Sequence, residues 1–322
     1  MKTIRRFFKI AGIVLWSVLA LVGVFTVVCL AIGRHRANAT GEDQIISISP
    51  DEKVILKLRG DRLRSAGPYA QDTVVLRMAS VPDPARSAEI RDYFQLDTLF
   101  AANAPTWDKA LAVARFVATN IPHNNQRIQP EQRNAIALWE YTKNVEPAFN
   151  CRLHSIMLYE LLSSIGLEAR YITCLPMDSN DTDCHVVNHV WLPELGKWAM
   201  LDSDMGGNYA TDENGTPLSL LEIRERYIGE KPVWYHPGFC SDGDRNPEAF
   251  HYGYMAKNVY WFSSWETLHY DQEPAGGLDR GRYVHLVPTG FEPFGAGPGD
   301  VVTSDASQFW AAPEANNPEN TR

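Results

Sequence analysis

Of the five cysteines in this chain of 322 residues, Cys151 stands where thiol chemistry is easiest to arrange. It lies in the stretch Ala148-Phe149-Asn150-Cys151-Arg152-Leu153-His154. From there Leu153, Ile156, Met157, Leu161, Leu162 and Ile165 recur at helical spacing, with Leu158 beside the stripe. Asn150 suits the N-cap, which puts Cys151 in the first turn of the helix. Unpaired amides at that end favour a thiolate over a thiol. Gly166 suits a left-handed C-terminal cap, with Leu167 placed to fold back on the last turn.

A thiol becomes a strong nucleophile when an imidazole takes its proton and a third group fixes that imidazole's tautomer. The runs Ala169 to Cys174, Asn188 to Leu192 and Lys197 to Leu201 read as strands that could carry those groups. A turn at Leu195-Gly196 makes the last two a hairpin that sets His189 opposite Asp202. The facing pair would sit at about 4.5–5.5 Å between β-carbons, on one side of the sheet. His185 shares that side by parity, but it adjoins an acidic loop and faces no carboxylate in this register. Asp204 would face Val187 and reads as a turn residue. The candidate set is therefore Cys151 as nucleophile, His189 as general base and Asp202 as its orienting partner.

Other chemistries are weaker. Cys184, His185 and His189 make a small thiol and imidazole cluster, but it lacks a clear fourth zinc ligand, and a strand sends Cys184 and His185 to opposite faces. The run Asp178, Asn180, Asp181, Asp183 lacks the glycine and glutamate of a calcium loop and reads as a solvated turn. No metal or other cofactor is called for. Cys174 and Cys184 flank that loop, and in an oxidising compartment they could be bridged. The aromatic runs Val233-Trp234-Tyr235-His236 and Val259-Tyr260-Trp261-Phe262 are more often core than sugar-stacking platforms.

The elements around these residues sort into regions. Residues 1–9 form a basic tail and residues 10–33 an uncharged apolar run, long enough to span a bilayer as a retained anchor, with a signal cleaved after Ala37-Asn38-Ala39 as the alternative. Four basic residues precede the run and two follow it, which orients the tail to the cytoplasm and the rest outward. Residues 34–100 read as a lead-in, with β-rich runs at Val54 to Leu58 and Thr73 to Met78. Residues 101–230 hold the core, opening on a helix from Thr106 that Pro122 closes, then a weaker helix from Asn134 to Tyr141. Residues 231–312 extend the core, with strands expected around residues 259–262 and 282–287, and 313–322 read as a disordered tail. The net charge of -9 hides a body of -15 beyond residue 40, which argues against nucleic acid as a partner.

This order of features resembles the transglutaminase-like superfamily of papain-related folds. The resemblance rests on Cys151 opening a helix, Gly166-Leu167-Glu168-Ala169-Arg170-Tyr171-Ile172 after it, His189-Val190-Trp191, then Gly196-Lys197-Trp198 leading to Leu201-Asp202. It covers roughly Thr106 to Asp204. It implies an α+β fold, with a cysteine-bearing helix packed on an antiparallel sheet that carries the histidine and aspartate. It also implies the same roles for Cys151, His189 and Asp202. One departure is Asn150, where a glycine close to the cysteine is more usual. The expected activity is acyl transfer from an amide through a Cys151 thioester, by an exported, membrane-anchored peptidase, amidase or cross-linking enzyme acting on protein or peptide. The rival expectation is a non-catalytic module of the same fold that binds protein or cell-envelope polymer.

Overall fold

The computed structural model describes residues 50–204, 207–236, 239, 250–273 and 281–313. The apolar run at 10–33, the basic tail before it and nearly all of the C-terminal tail lie outside the described residues. Among the described residues no helix is long and apolar enough to cross a membrane. The body, Ile48–Arg322, is one compact unit of mixed helix and sheet.

Its centre is an eight-stranded sheet in the spatial order β10-β9-β7-β2-β3-β4-β5-β6. The strands are β2 (Ala169–Leu175), β3 (His185–Leu192), β4 (Lys197–Asp202), β5 (Asn208–Thr211), β6 (Trp234–His236), β7 (Trp261–Trp265), β9 (Tyr283–Leu286) and β10 (Val301–Thr303). All neighbours are antiparallel except β9 and β10. The short β1 (Ala79–Ser80) and β8 (Thr267–Leu268) pair separately. The aromatic run at residues 259–262 is core, with Val259, Trp261 and Phe262 all buried.

Alternation along the strands gives the sheet two apolar faces. Tyr171, Val186, Val190, Ala199 and Leu201 share one core with helices α2 (Pro84–Phe94), α3 (Thr106–Asn120), α4 (Ala135–Asn144) and α5 (Cys151–Ser164). Ile172, Cys174, Val187, Met200 and Phe262 face the other, under α6 (Leu220–Ile228) and Leu63 of α1 (Pro50–Ser65). Helix α5 is buried along almost its whole length, including the polar His154, Ser155 and Glu160.

The β-rich reading of Val54 to Leu58 is corrected: those residues lie in α1, and Thr73 to Met78 are irregular. A five-residue apolar run has no decisive period of its own. Here the helix carries basic residues in its last turn and the Lys57–Asp61 and Asp61–Arg64 pairs at helical spacing.

Two turns decide where the site forms. Gly166, at φ +80°, ends α5 in the left-handed region, and Leu167 N–H donates back to Leu162 O at 3.1 Å. The chain then reverses into β2, so the end of β2 returns to the start of α5. The β3–β4 hairpin turns over four residues, Pro193 to Gly196, not over Leu195-Gly196 alone. Pro193 has no N–H to continue the ladder, Leu195 N–H closes on Leu192 O at 3.0 Å, and Gly196 takes φ +61°. The register therefore shifts by two residues: His189 pairs with Met200 and Asn188 with Leu201.

Candidate active site

Asn150 caps α5 as its sequence implied, its side-chain oxygen accepting from Leu153 N–H at 3.1 Å, and Cys151 is the first residue of the helix. One turn on, Ser155 Oγ donates to Val186 O at 2.8 Å and Asn188 Nδ2 donates to Ser155 O at 2.9 Å. These two bonds lock α5, one turn beyond Cys151, to the first half of β3.

The histidine brought to Cys151 is His185, not His189. His185 pairs with Cys174 near the end of β2, the end that returns to the start of α5, whereas His189 pairs with Arg170 at the far end. Four residues of strand, at about 3.3 Å each, separate the two rings by about 13 Å along β3. His189 is fully buried, accepts from Leu220 N–H on Nε2 at 3.0 Å, and lies between the rings of Trp198 and Trp310. Burial, then the charges of Arg170 and Lys197, push its pKa well below the usual histidine value. A neutral imidazole used as a backbone acceptor is a structural group. The expected facing of His189 and Asp202 is thus corrected by the longer turn.

Asp202 does orient an imidazole. Continued by one residue, the observed register sets Asp202 beside Val187, and His185 is then its diagonal neighbour, within reach of long side chains. Asp202 Oδ2 lies 2.7 Å from His185 Nε2, with both groups buried. The same oxygen accepts from Asn208 Nδ2 at 3.2 Å, and Oδ1 accepts from Asp204 N–H at 2.8 Å, so the carboxylate cannot swing. Burial works against a charge on His185. The Asp202 carboxylate, its hydrogen bond and a further one with Cys151 outweigh it and hold the ring well above its usual pKa.

Asp204 lies in the bend after β4, as its reading as a turn residue implies, yet the bend is closed to solvent. The residue is fully buried, and one carboxylate oxygen, one His185 nitrogen and Cys151 Sγ all lie within 4.8 Å of one another. His123 Nδ1 sits 2.9 and 3.0 Å from its two oxygens, and His154 Nε2 lies 3.5 Å from Oδ1. Burial raises the cost of charge on Asp204, but the bond from His123 and the nearby histidines hold its pKa below the ordinary carboxylate value. Neither His123 nor His154 was singled out in the sequence. His154, three residues after Cys151, was the readable signal, since that spacing keeps it on the same side of α5.

Cys151, His185 and Asp204 together offer three ligand atoms close enough to share a metal ion. A closed zinc site takes four, and His185 Nε2 is already bonded to Asp202. The zinc cluster considered with His189 is not assembled, because His189 points to Leu220. Cys174 and Cys184 are both free thiols rather than a bridge. The acidic loop before β3 is partly neutralised by Lys257, 2.6 Å from Asp181 and 3.5 Å from Asp183.

Beside the thiol, Arg152 donates to Glu273 through Nε at 2.7 Å and Nη2 at 2.6 Å. Glu273 also accepts from Tyr171 Oη at 2.7 Å and Trp265 Nε1 at 2.8 Å. Arg152 is therefore committed to the framework.

Residues 96–203 match the family model described as the transglutaminase-like superfamily, about a third of the chain. Among curated proteins none matches. Solved structures with some likeness include a candidate cysteine protease of Cytophaga hutchinsonii, at 14% identity and a TM-score of 0.31, covering 61% of this chain and 56% of that one. Another is a candidate protease of Parabacteroides distasonis, at 13% identity and a TM-score of 0.25, covering 46% of this chain and 26% of that one. The chain thus spans about half the length of the first and a quarter of the second.

Proposed function

We propose that the protein is a cysteine-dependent acyl-transfer enzyme that opens amide bonds of protein or peptide through a Cys151 thioester. One observation carries this reading: Asp202 holds His185 at 2.7 Å while Cys151, at the start of α5, sits against the same imidazole. Asp202 takes Nε2, which leaves Nδ1 as the nitrogen for the thiol. His185 accepts the Cys151 proton, the thiolate adds to the amide carbonyl carbon, and the carbonyl electron pair moves onto oxygen. As the tetrahedral species collapses, the C–N bond breaks and the imidazolium returns its proton to the leaving amine. His185 then deprotonates the second acceptor as it adds to the thioester carbonyl; the C–S bond breaks, and the imidazolium returns its proton to the departing thiolate. Water as acceptor makes the reaction hydrolysis, an amine makes it cross-linking. Hydrolysis is favoured because water is always present and a cross-linker must shield its thioester.

On this reading residues 10–33 anchor the enzyme in a membrane, with the catalytic body outside. Support comes from the uncharged run and its basic flank.

The test is iodoacetamide labelling followed by peptide mapping, with casein and dansylcadaverine as a general donor and amine pair for turnover. Rapid labelling of Cys151 near pH 7, lost together with turnover in Cys151→Ser at an unchanged melting temperature, supports the mechanism. Full turnover by Cys151→Ser overturns it.

A further inference from the structure

Asp204 is a buried carboxylate at the site that the thiol–His185–Asp202 chemistry leaves unused. One of its oxygens, one His185 nitrogen and Cys151 Sγ all lie within 4.8 Å of one another. A carboxylate beside a nucleophile that must become an anion repels that charge. Its position therefore works against the reaction and calls for another explanation.

We propose that Cys151 Sγ, His185 Nδ1 and one Asp204 oxygen form an open site for the thiophilic divalent cation Zn²⁺, and that the bound ion switches the enzyme off by capping its nucleophile. The inhibitory role rests on the acyl-transfer reading above.

Three observations lead there. The first is the donor set. A thiolate, an imidazole and a carboxylate are the ligands zinc takes, and three of them are too few for a closed structural site but match one that keeps a place for water. The second is spacing. Bonds of about 2.0–2.3 Å put the ligand atoms of a tetrahedral zinc about 3.5 Å apart. The bound of 4.8 Å leaves at most about 1.3 Å to close, which small rotations of the three side chains can supply.

The third observation is the outer shell. A histidine that binds a metal nearly always gives its other ring N–H to a carboxylate or carbonyl, and a ligating carboxylate is itself hydrogen-bonded. Both conditions are met here. His185 Nε2 lies 2.7 Å from Asp202 Oδ2, and His123 Nδ1 lies 2.9 and 3.0 Å from the two oxygens of Asp204. Asp204 N–H also donates to Asp202 Oδ1 at 2.8 Å, which ties the two carboxylates together. His123 is held in turn by its parallel bridge to Phe149, where Phe149 N–H donates to Pro122 O at 3.0 Å and Asn124 N–H donates to Phe149 O at 2.8 Å. One Asp204 oxygen can thus turn to the ion while the other keeps His123. Charge agrees: Asp202, Asp204 and a Cys151 thiolate put three negative charges around one ring, and a divalent cation offsets two of them.

Binding changes no oxidation state. The Cys151 S–H proton goes to solvent, the S–Zn bond forms and water leaves the ion. The sulfur pair that would attack a carbonyl is then held by the metal, and Nδ1 can no longer take a proton.

The test uses the full chain, freed of metal with EDTA. Zn²⁺ should slow alkylation of Cys151 by iodoacetamide in a saturable way, and excess EDTA should restore the rate. Mg²⁺, which takes oxygen ligands and gives up its water reluctantly, should not slow it. Co²⁺ supplies a readout apart from reactivity, because a thiolate-to-cobalt charge-transfer band requires sulfur as a ligand; Cys151→Ser should abolish that band. The Zn²⁺ concentration that halves each variant's own metal-free rate should rise at least tenfold in Asp204→Asn. It should rise by about 10–100-fold in His123→Ala, the scale for a lost outer-shell partner. The His123 side chain is 20% exposed, so this variant tests the same shell if Asp204→Asn does not fold. Alkylation that Zn²⁺ leaves untouched, or inhibition equal in the parent and both variants, overturns the site while leaving the nucleophile intact. A Cys151 that does not label in the metal-free chain overturns the acyl-transfer reading and the inhibitory role with it, and the cobalt band then decides the site alone.

Discussion

Replacing His185 with alanine and replacing His189 with alanine should have opposite consequences, although both histidines lie on one strand. His185 bonds Asp202 at 2.7 Å and meets the thiol. Its loss removes the proton acceptor, a contribution of about 10²–10⁴ in rate, or roughly 3–5 kcal/mol of barrier. Alkylation of Cys151 by iodoacetamide at pH 6.5, followed by mass spectrometry of the Cys151 peptide, should slow by at least 100-fold. His189 is a fully buried ring between Trp198 and Trp310 that accepts from Leu220 N–H. Its loss leaves a cavity and an unpaired buried donor, a cost of about 3–5 kcal/mol by comparison with other large buried rings. At roughly 2–4 °C per kcal/mol for a body of this size, the melting temperature should fall by about 10 °C. Labelling of the molecules that remain folded should stay within about twofold of the parent. If His189→Ala abolishes labelling in folded protein and His185→Ala leaves it intact, the β3–β4 register described here is wrong, and so is the site built on it.

Asp202→Asn should slow the same alkylation less than His185→Ala does, because the imidazole stays but loses its fixed tautomer, and the pH profile of labelling should shift. Glu160 is buried and accepts from Ala135 and Asp271 N–H, and burial raises its pKa from 4.5 to about 7. The unfolded chain loses this proton first, so the associated stability is full below about pH 4.5 and is lost as pH rises to about 7. At about 1.4 kcal/mol per pKa unit the loss is about 3 kcal/mol; urea melts at pH 5 and pH 8 should show it, and Glu160→Gln should flatten the difference. Glu273→Gln breaks the buried pair with Arg152 and should cost about 3–5 kcal/mol, read as a lowered midpoint in urea. The full-length chain should stay with membranes after a high-salt wash, and a released chain starting near Thr40 would show that the apolar run is a cleaved signal.

Most of the helical framework could be read from residues that act locally. Asn150 and Asn134 cap α5 and α4 through their own side chains, and Gly166 takes the positive φ that ends α5. Each of these depends on two or three neighbours in sequence, so the sequence carries the whole cause. Helix α1 was missed for the opposite reason: it packs on α6, more than 150 residues later, and most of Val54 to Leu58 is exposed. Nothing near that segment in sequence announces the contact.

The expected facing of His189 and Asp202 fails by two residues in one turn, and the same sequence holds the information that avoids it. Pro193 cannot donate to a ladder, so a hairpin closing at Leu195-Gly196 would have asked it to sit mid-strand. A second argument needs no register at all. A helix that ends in a glycine cap and runs at once into an antiparallel pair returns the end of β2 to the start of α5, and β3 begins beside that end. Whichever residue starts β3 is the one nearest Cys151, and that residue is His185. By the same topology His189, four residues along, lies at the wrong end of its strand whatever faces it. Asp202 meets an imidazole in either register because it is diagonal to both histidines, and the choice between them falls to the position of α5. His123 and Asp204 were out of reach of such reasoning. His123 lies 81 residues from its carboxylate, and only the pairing of its segment with Phe149 brings the two together. The part of the site built by consecutive elements is therefore a matter of topology that the sequence can state, while the part closed by distant loops exists only in the folded chain.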